Sequence, residues 1–214
     1  MHLYIGNKNL SSWSMRVWLV CTAFDLPFEE VLVRFSTPDQ AENTFAQTMQ
    51  SLHSNGKVPA LVHDDHVIWD SLAICEYLAE LFPAKHLWPE DRMLRARARC
   101  ISAEMHSGFT SLRNHCPMNI TANLAQQGQV LWSSYADLRQ DVARIEQIWA
   151  ERPQPEGFLC GHFSIADAFY APVVSRLISY QFAVHPSSQQ YMHTVLAHPA
   201  VRLWIQGARA EIVA

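Results

Sequence analysis

Residues 9–16 read NLSSWSMR and set three hydroxyls, Ser11, Ser12 and Ser14, around Trp13. A short apolar run, HLYI, precedes them, and a helical pattern, MRVWLVCTAF, follows. The start of a helix carries unpaired backbone N–H groups and the positive end of the dipole. A hydroxyl there either caps the helix or holds an anion against it. Serine cannot do disulfide chemistry, but it can donate a hydrogen bond to a thiolate carried by another molecule. Lowering a thiol pKa by about two units, enough to ionise it at neutral pH, takes roughly 2.7 kcal/mol. A hydrogen bond to a charged acceptor, at about 1.5–3 kcal/mol, and a helix end, at about 0.3–1 kcal/mol, suffice together.

Two further stretches fit a peptide ligand. In KVPAL, a cis Val58–Pro59 bond at the start of a strand would expose the Val58 backbone N–H and C=O to an extended chain, whereas a trans proline would simply open an edge strand. In WDSLAICEYL, Asp70 and Ser71 stand at a strand-to-helix junction, where one of them caps the helix. Ser71 and the first-turn amides can also hold a carboxylate while Asp70 attracts an ammonium, the two charges at the α-amino acid end of a γ-glutamyl group. GHFSIADAFYAPV has Ser164 and Asp167 at capping-box spacing and Pro172 deep in the same helical run, which reads as a folding signal and a bend.

A face for a second ligand comes from SAEMHSGFTSLRN. If the helix is continuous, Ser102, Met105, His106, Phe109 and Arg113 fall within a stripe of about 100° that mixes apolar bulk with two bases. Phe109 and Met105 would contact an apolar ligand and Arg113 an anionic one; a core-facing helix is the competing reading. HDDH at 63–66 could bring His63 and His66 together across a turn, but no third or fourth ligand accompanies them, so no metal is expected.

The elements that must position these residues fall into two groups. Up to about residue 82 the pattern runs β-α-β-α-β-β-α: LYIG, a helix over 14–24, FEEVLVRF, a weaker helix in DQAENTFAQTM, a hairpin in VPALVHDDHVIWD and a helix in SLAICEYLAELF. PAKHLWPE, 83–90, reads as a linker. Long apolar patterns at three-to-four spacing then cover 91–116, 122–152, 164–180 and 187–210, an all-helical second domain over 91–214. In a thioredoxin-type βαβ unit, Ser11–Ser14 would stand where Cys-x-x-Cys carries sulfur.

Composition excludes several classes. With 49% apolar residues in 214, the chain can bury a large core, and a net charge of −4 without a basic tract leaves no footprint for nucleic acid. No apolar run reaches the roughly 20 residues of a membrane span and no signal peptide is visible, so a cytoplasmic location is expected. Five widely spaced cysteines, Cys21, Cys75, Cys100, Cys116 and Cys160, suit reduced structural thiols.

In Ser11-Ser12-x-Ser14-x-Arg16-Val17, Val58-Pro59-Ala60-Leu61, Asp70-Ser71 and the Ser164 capping box, the chain resembles the cytosolic glutathione transferases along its whole length. It is most similar to the serine-type, zeta-like branch in bacterial-type form, which includes maleylacetoacetate isomerases. The resemblance implies that Ser11 activates the glutathione thiol with Ser12 beside it. It implies that Val58, before Pro59, pairs with the cysteinyl backbone, that Asp70 and Ser71 hold the γ-glutamyl end and that Lys57 meets the glycine carboxylate. Glutathione is then a co-substrate, the other partner is a small electrophile, and the chain forms a homodimer. Two positions depart from the family pattern. Trp13 replaces a cysteine and should reshape the mouth of the site, and Ser54-Asn55 replace a proline before Lys57. Transfer to an electrophile leads; glutathione-dependent cis-trans isomerisation and a binding module without catalysis are the alternatives.

Overall fold

The computed structural model describes residues 1–35 and 44–213. The first strand, β1 (His2–Ile5), buries Leu3 and Ile5 and leads through residues 6–11 into α1 (Ser12–Ala23). Then come β2 (Glu29–Leu32), α2 (Thr44–Ser51), the hairpin β3 (Ala60–His63) and β4 (His66–Trp69), and α3 (Ser71–Leu81). Residues 39–43 of the helix expected in DQAENTFAQTM lie outside the described residues. The sheet order is β2-β1-β3-β4, with β1 parallel to β2 and the other pairs antiparallel. Parallel strands need a crossover connection, and α1 supplies it between β1 and β2. This is the expected βαβαββα order, a thioredoxin-like half.

A short 3-10 turn, Pro83–Lys85, leads to a half made of helices: α4 (Arg92–Ser107), α5 (Thr110–His115), α6 (Ala125–Ser134), α7 (Ala136–Ala150), α8 (Ile165–Ser179), α9 (Pro186–Ala197) and α10 (Pro199–Val213). α8 is buried almost all round and packs on both α1 and α4, so it ties the two halves together. The capping box at its start is present. Asp167 accepts from the Ser164 and Leu159 amides, the Ser164 hydroxyl and Tyr191 Oη at 2.9–3.2 Å. Burial pushes the Asp167 carboxyl up to about 6 while these four donors pull it down. Pro172 lies inside the helix.

Three of the four long helical patterns fail as single helices: 122–152 divides into α6 and α7, 187–210 into α9 and α10 at Pro199, and 91–116 divides as well. The continuous helix over 91–116 is two helices, because α4 stops at Ser107 and the chain restarts at Thr110. The Gly108 N–H closes α4 on Glu104 O at 2.8 Å, and a Cβ at Gly108 would stand 2.7 Å from that same oxygen. Phe109 then takes φ 53°, in the left-handed region that a side-chain-bearing residue adopts only at a cost. A stripe extrapolated through Gly108 loses its register. Ser102, Met105 and Phe109 turn into the core, 0, 0 and 7% exposed, so Met105 and Phe109 do not stand with the open groups of the site.

All five cysteines are free thiols; Cys21, Cys75, Cys116 and Cys160 are buried, but Cys100 is exposed. Burial pushes Cys21 and Cys116 up to about 12 and Cys160 to about 11, which keeps these thiols protonated and inert.

Candidate functional site

Helix α1 begins where a hydroxyl can satisfy its first amides. Ser11 is the N-cap and accepts from Ser14 N at 3.4 Å, and the Ser11 and Ser14 hydroxyls are 2.7 Å apart. Ser14 in turn accepts from Gly6 N at 3.1 Å, which chains Ser11 to the end of β1. Ser12 is held from the other half of the molecule: its Oγ accepts from Arg176 Nη2 on α8 at 3.1 Å. Arg176 thereby occupies an acceptor site on Ser12 and leaves the hydroxyl proton free to donate elsewhere.

The Val58–Pro59 peptide bond is cis. It lines a cavity of about 230 Å³ with Trp13, Asn55, Lys57, Asp70 and Ser71. Asp70 caps α3 through Oδ1, which accepts from Leu72 N at 2.9 Å and Ala73 N at 3.2 Å. Its backbone sits at φ 73°, a conformation worth about 1–3 kcal/mol of strain that packing on both sides must hold. Ser71 is 1% exposed and its Oγ has no hydrogen-bond partner. A buried hydroxyl left unpaired at a helix start, on the wall of a cavity, is a group built for an incoming acceptor. A second cavity of about 250 Å³ adjoins the first through Trp13, Lys57 and Val58, and exposes Ser11 and Ser12 among Leu10, Phe35 and Phe45.

The helical half meets this wall through His106 and Arg113. The His106 Nε2 lies 3.2 Å from Asp70 Oδ2, and its ring meets Trp13 edge-on at 5.3 Å. Burial holds the His106 pKa below the ordinary 6.5; Asp70 opposes that shift, and Arg16 and Arg113 add to it. Neutral His106 therefore donates Nε2–H to the Asp70 carboxylate near pH 7. Arg113 lies over Trp13 at 5.5 Å and donates to His106 O at 2.9 Å. Below Trp13, fully buried Arg16 is sandwiched between Trp13 at 4.2 Å and Phe169 at 4.7 Å, with Nε and Nη1 unpartnered. Burial, then Arg176 and Arg113, pulls Arg16 down to about 9, and burial and Arg113 pull Arg176 to about 10. Both stay charged at neutral pH. No ion pair among the described residues reaches Arg16, Arg113 or Arg176.

Such an arrangement offers an extended peptide a backbone partner at Val58, a carboxylate site at Ser71, an ammonium site at Asp70 and hydroxyls for a thiolate. The glutathione S-transferase N-terminal domain family matches residues 10–81 and the C-terminal domain family residues 120–207. The chain belongs to the glutathione S-transferase family. Maleylacetoacetate isomerase of Rattus norvegicus is 28% identical over 186 residues, which span 86% of this chain and 81% of its own. A glutathione transferase homolog from Burkholderia gl BGR1, solved with bound glutathione, aligns at TM-score 0.71 and 25% identity over 98% of both chains. A glutathione S-transferase from the Antarctic clam Laternula elliptica shares the fold at TM-score 0.74 and 24% identity, over 98% of this chain and 94% of its own.

Of the residues that a glutathione S-transferase reading singles out in the sequence, Ser11, Ser12, Lys57, Val58, Pro59, Asp70 and Ser71 line the two joined cavities. Trp13 lines both, and His106 and Arg113 touch it from the helical half. Met105 and Phe109 stand apart in the core. His63, half of the HDDH pair, is bonded to Tyr77 Oη at 2.6 Å, and no metal-binding group of three or more His, Cys, Asp or Glu occurs among the described residues. Sequence reasoning missed Arg176 altogether and gave Arg16 no role beyond the motif. The available signal was a single arginine in each of two otherwise apolar helical runs, SMRVWLVC and APVVSRLIS. Phe35, beyond β2, and Phe45, on α2, left no signal, because only the tertiary fold brings them to the serines.

Proposed function

We propose that this family member is a glutathione transferase that binds glutathione in the joined cavities and activates its thiol for attack on a small electrophile. The γ-glutamyl carboxylate goes to Ser71 and the first amides of α3, its ammonium to Asp70, the cysteinyl backbone to Val58 and the glycine carboxylate to Lys57. Ser11 and Ser12 donate to the thiolate, and the uncompensated Arg176 behind Ser12 favours the negative charge there. The electrophile takes the side of Trp13, His106 and Arg113. The observation that carries the reading is the unpaired, buried Ser71 hydroxyl across one cavity from the cis Val58–Pro59 bond. Within this reading residues 1–82 form the glutathione-binding domain, 83–90 the linker and 91–214 the electrophile-side domain.

Calorimetric titration of glutathione into the wild type, Ser11→Ala and Ser12→Ala, with thiolate absorbance followed against pH, tests it. The wild type should bind and show a lowered thiol pKa that one or both substitutions return toward the free value. Absence of binding would sink the reading.

A second reading, glutathione-dependent cis-trans isomerisation of an unsaturated carboxylate, is favoured by Arg113 over Trp13, with the buried positive charges of Arg16 beneath Trp13 and Arg176 behind Ser12. The likeness to the rat isomerase supports it too. Isomerisation of a conjugated dicarboxylate without net consumption of glutathione separates it from transfer.

A homodimer and a cytoplasmic location complete the proposal. Exposed Trp69, Leu81 and Met93, 45, 37 and 74% accessible, support a partner surface. Five free thiols support a reducing compartment.

A further inference from the structure

The loop that presents the serines, residues 6–11, is held by the far end of the chain. On α10, the Glu211 carboxylate accepts from two successive backbone amides, Lys8 N at 2.7 Å on one oxygen and Asn9 N at 3.2 Å on the other. A carboxylate bridging adjacent N–H groups fixes the direction of both, and such charge-assisted bonds are about twice as strong as neutral ones.

The same helix grips the loop twice more. Trp204 packs on Trp18 at 5.3 Å, and the Lys8 ammonium lies over the two rings while pairing with Glu30 at 2.8 Å. Gly207 passes so close that a Cβ there would stand 2.6 Å from Lys8 Cδ. From Lys8 and Asn9 the constraint reaches the serines directly. The carbonyl of Asn7 accepts from Leu10 N at 3.0 Å and Ser11 N at 2.8 Å, closing a turn whose middle amides are the two that Glu211 holds. The Asn9 carbonyl and side chain fasten the other side of that turn, accepting from Ile120 N and Thr121 N and donating to Asn119 Oδ1.

We propose that Glu211 is a positioning residue for thiol activation: through the Lys8 and Asn9 amides it sets where the Ser11 and Ser12 hydroxyls stand relative to the thiol of bound glutathione. The inference rests on the preceding reading that these serines face the thiol. Glu211 itself touches no ligand in this arrangement, and it stands beyond the 120–207 match to the family's C-terminal domain.

The test uses the full chain as wild type, Glu211→Ala and Glu211→Gln. Its readouts are amide hydrogen exchange at Lys8 and Asn9, the thiol pKa of bound glutathione, kcat and KM with a chloronitrobenzene electrophile, and the thermal midpoint. In Glu211→Ala, exchange at both amides should accelerate and the thiol pKa should rise by about one unit. The kcat should fall about tenfold, since a small misplacement of a catalytic group is felt at that scale. Glutathione affinity should stay within about threefold, because Asp70, Ser71 and Val58 still bind the peptide. Glu211→Gln keeps one acceptor oxygen and should lie between, restoring part of kcat; it decides the question on the same readouts if Glu211→Ala does not fold. A lower thermal midpoint with wild-type thiol pKa and kcat would make Glu211 a fold contact only and overturn the inference. Wild-type protein that binds no glutathione would instead overturn the transferase reading, whereas a lowered wild-type thiol pKa that neither variant changes overturns this inference alone.

Discussion

On the thioredoxin-like side, the cleft offers Val58, cis Pro59, Asp70 and Ser71: backbone geometry, one hydroxyl and one carboxylate. On the helical side it offers His106 and Arg113, with Arg16 buried beneath Trp13, Arg176 buried behind Ser12, Asp70 shared with His106 and Asp141 acting on Arg113. The first side is set by strand ends and a helix start, so its spacing is that of an extended peptide and suits a ligand that never changes. The second is set by side chains on four helices, α1, α4, α5 and α8, whose reach alters with any substitution. Under the proposed function the difference is a division of labour: backbone would recognise the constant co-substrate, and charged side chains would choose the variable one.

Removing the carboxylate of Asp70 should give the largest effect. Asp70→Ala loses a charge-assisted ammonium contact of about 1.5–3 kcal/mol, so glutathione Kd should rise roughly ten- to a hundredfold by calorimetry. It also loses the α3 cap, at about 1 kcal/mol of stability in denaturant unfolding. Asp70→Asn should keep the cap, through its remaining carbonyl oxygen, and lose the affinity. Equal stability losses in the two variants would break the distinction between cap and ligand.

Arg113→Leu comes next and should act on the other side only. For a carboxylate-bearing electrophile KM should rise about tenfold, the worth of one hydrogen bond to a charged group, while a neutral electrophile and glutathione keep theirs. A matching loss for the neutral electrophile would mean that Arg113 merely packs on Trp13.

The smallest effect is on pH. Because the His106 pKa is held below 6.5 in the folded protein, the neutral imidazole is the native form. The sign follows: this preference contributes stability above about pH 6.5 that is lost as pH falls through the lowered folded pKa. Protonation in that acid window, with Arg16 and Arg113 nearby, sets a cation against Asp70 in competition with the glutathione ammonium. Glutathione Kd should rise a few-fold as pH falls through the lowered His106 pKa, and His106→Gln should flatten the dependence. An unchanged pH profile in His106→Gln would remove His106 from the ligand's surroundings.

What could be read without coordinates shares one property. NLSSWSMR, WDSL and FSIAD each encode a helix start and KVPAL a strand start within a few residues, and each forms where the residues said it would, with the Val58–Pro59 bond in the cis form of the two left open. Of the stripe over 102–113, His106 and Arg113 meet Trp13 while Ser102 and Met105, inside α4, turn into the core; the break at Gly108 accounts only for the register lost beyond it, which extrapolated periodicity ignored.

The sequence by itself determined the order of elements in the thioredoxin-like half, the caps and the residues that line the wall of Val58, Pro59, Asp70 and Ser71, because backbone hydrogen bonding and dihedral preference act over neighbours in the chain. Only the tertiary structure decided the rest: Arg176 meeting Ser12, Arg16 beneath Trp13, His106 against Asp70, and Glu211 on the loop of Lys8 and Asn9. Those contacts join residues far apart in the chain, and their geometry is fixed by the packing of α1 against α8 and α10, which no spacing in the sequence encodes.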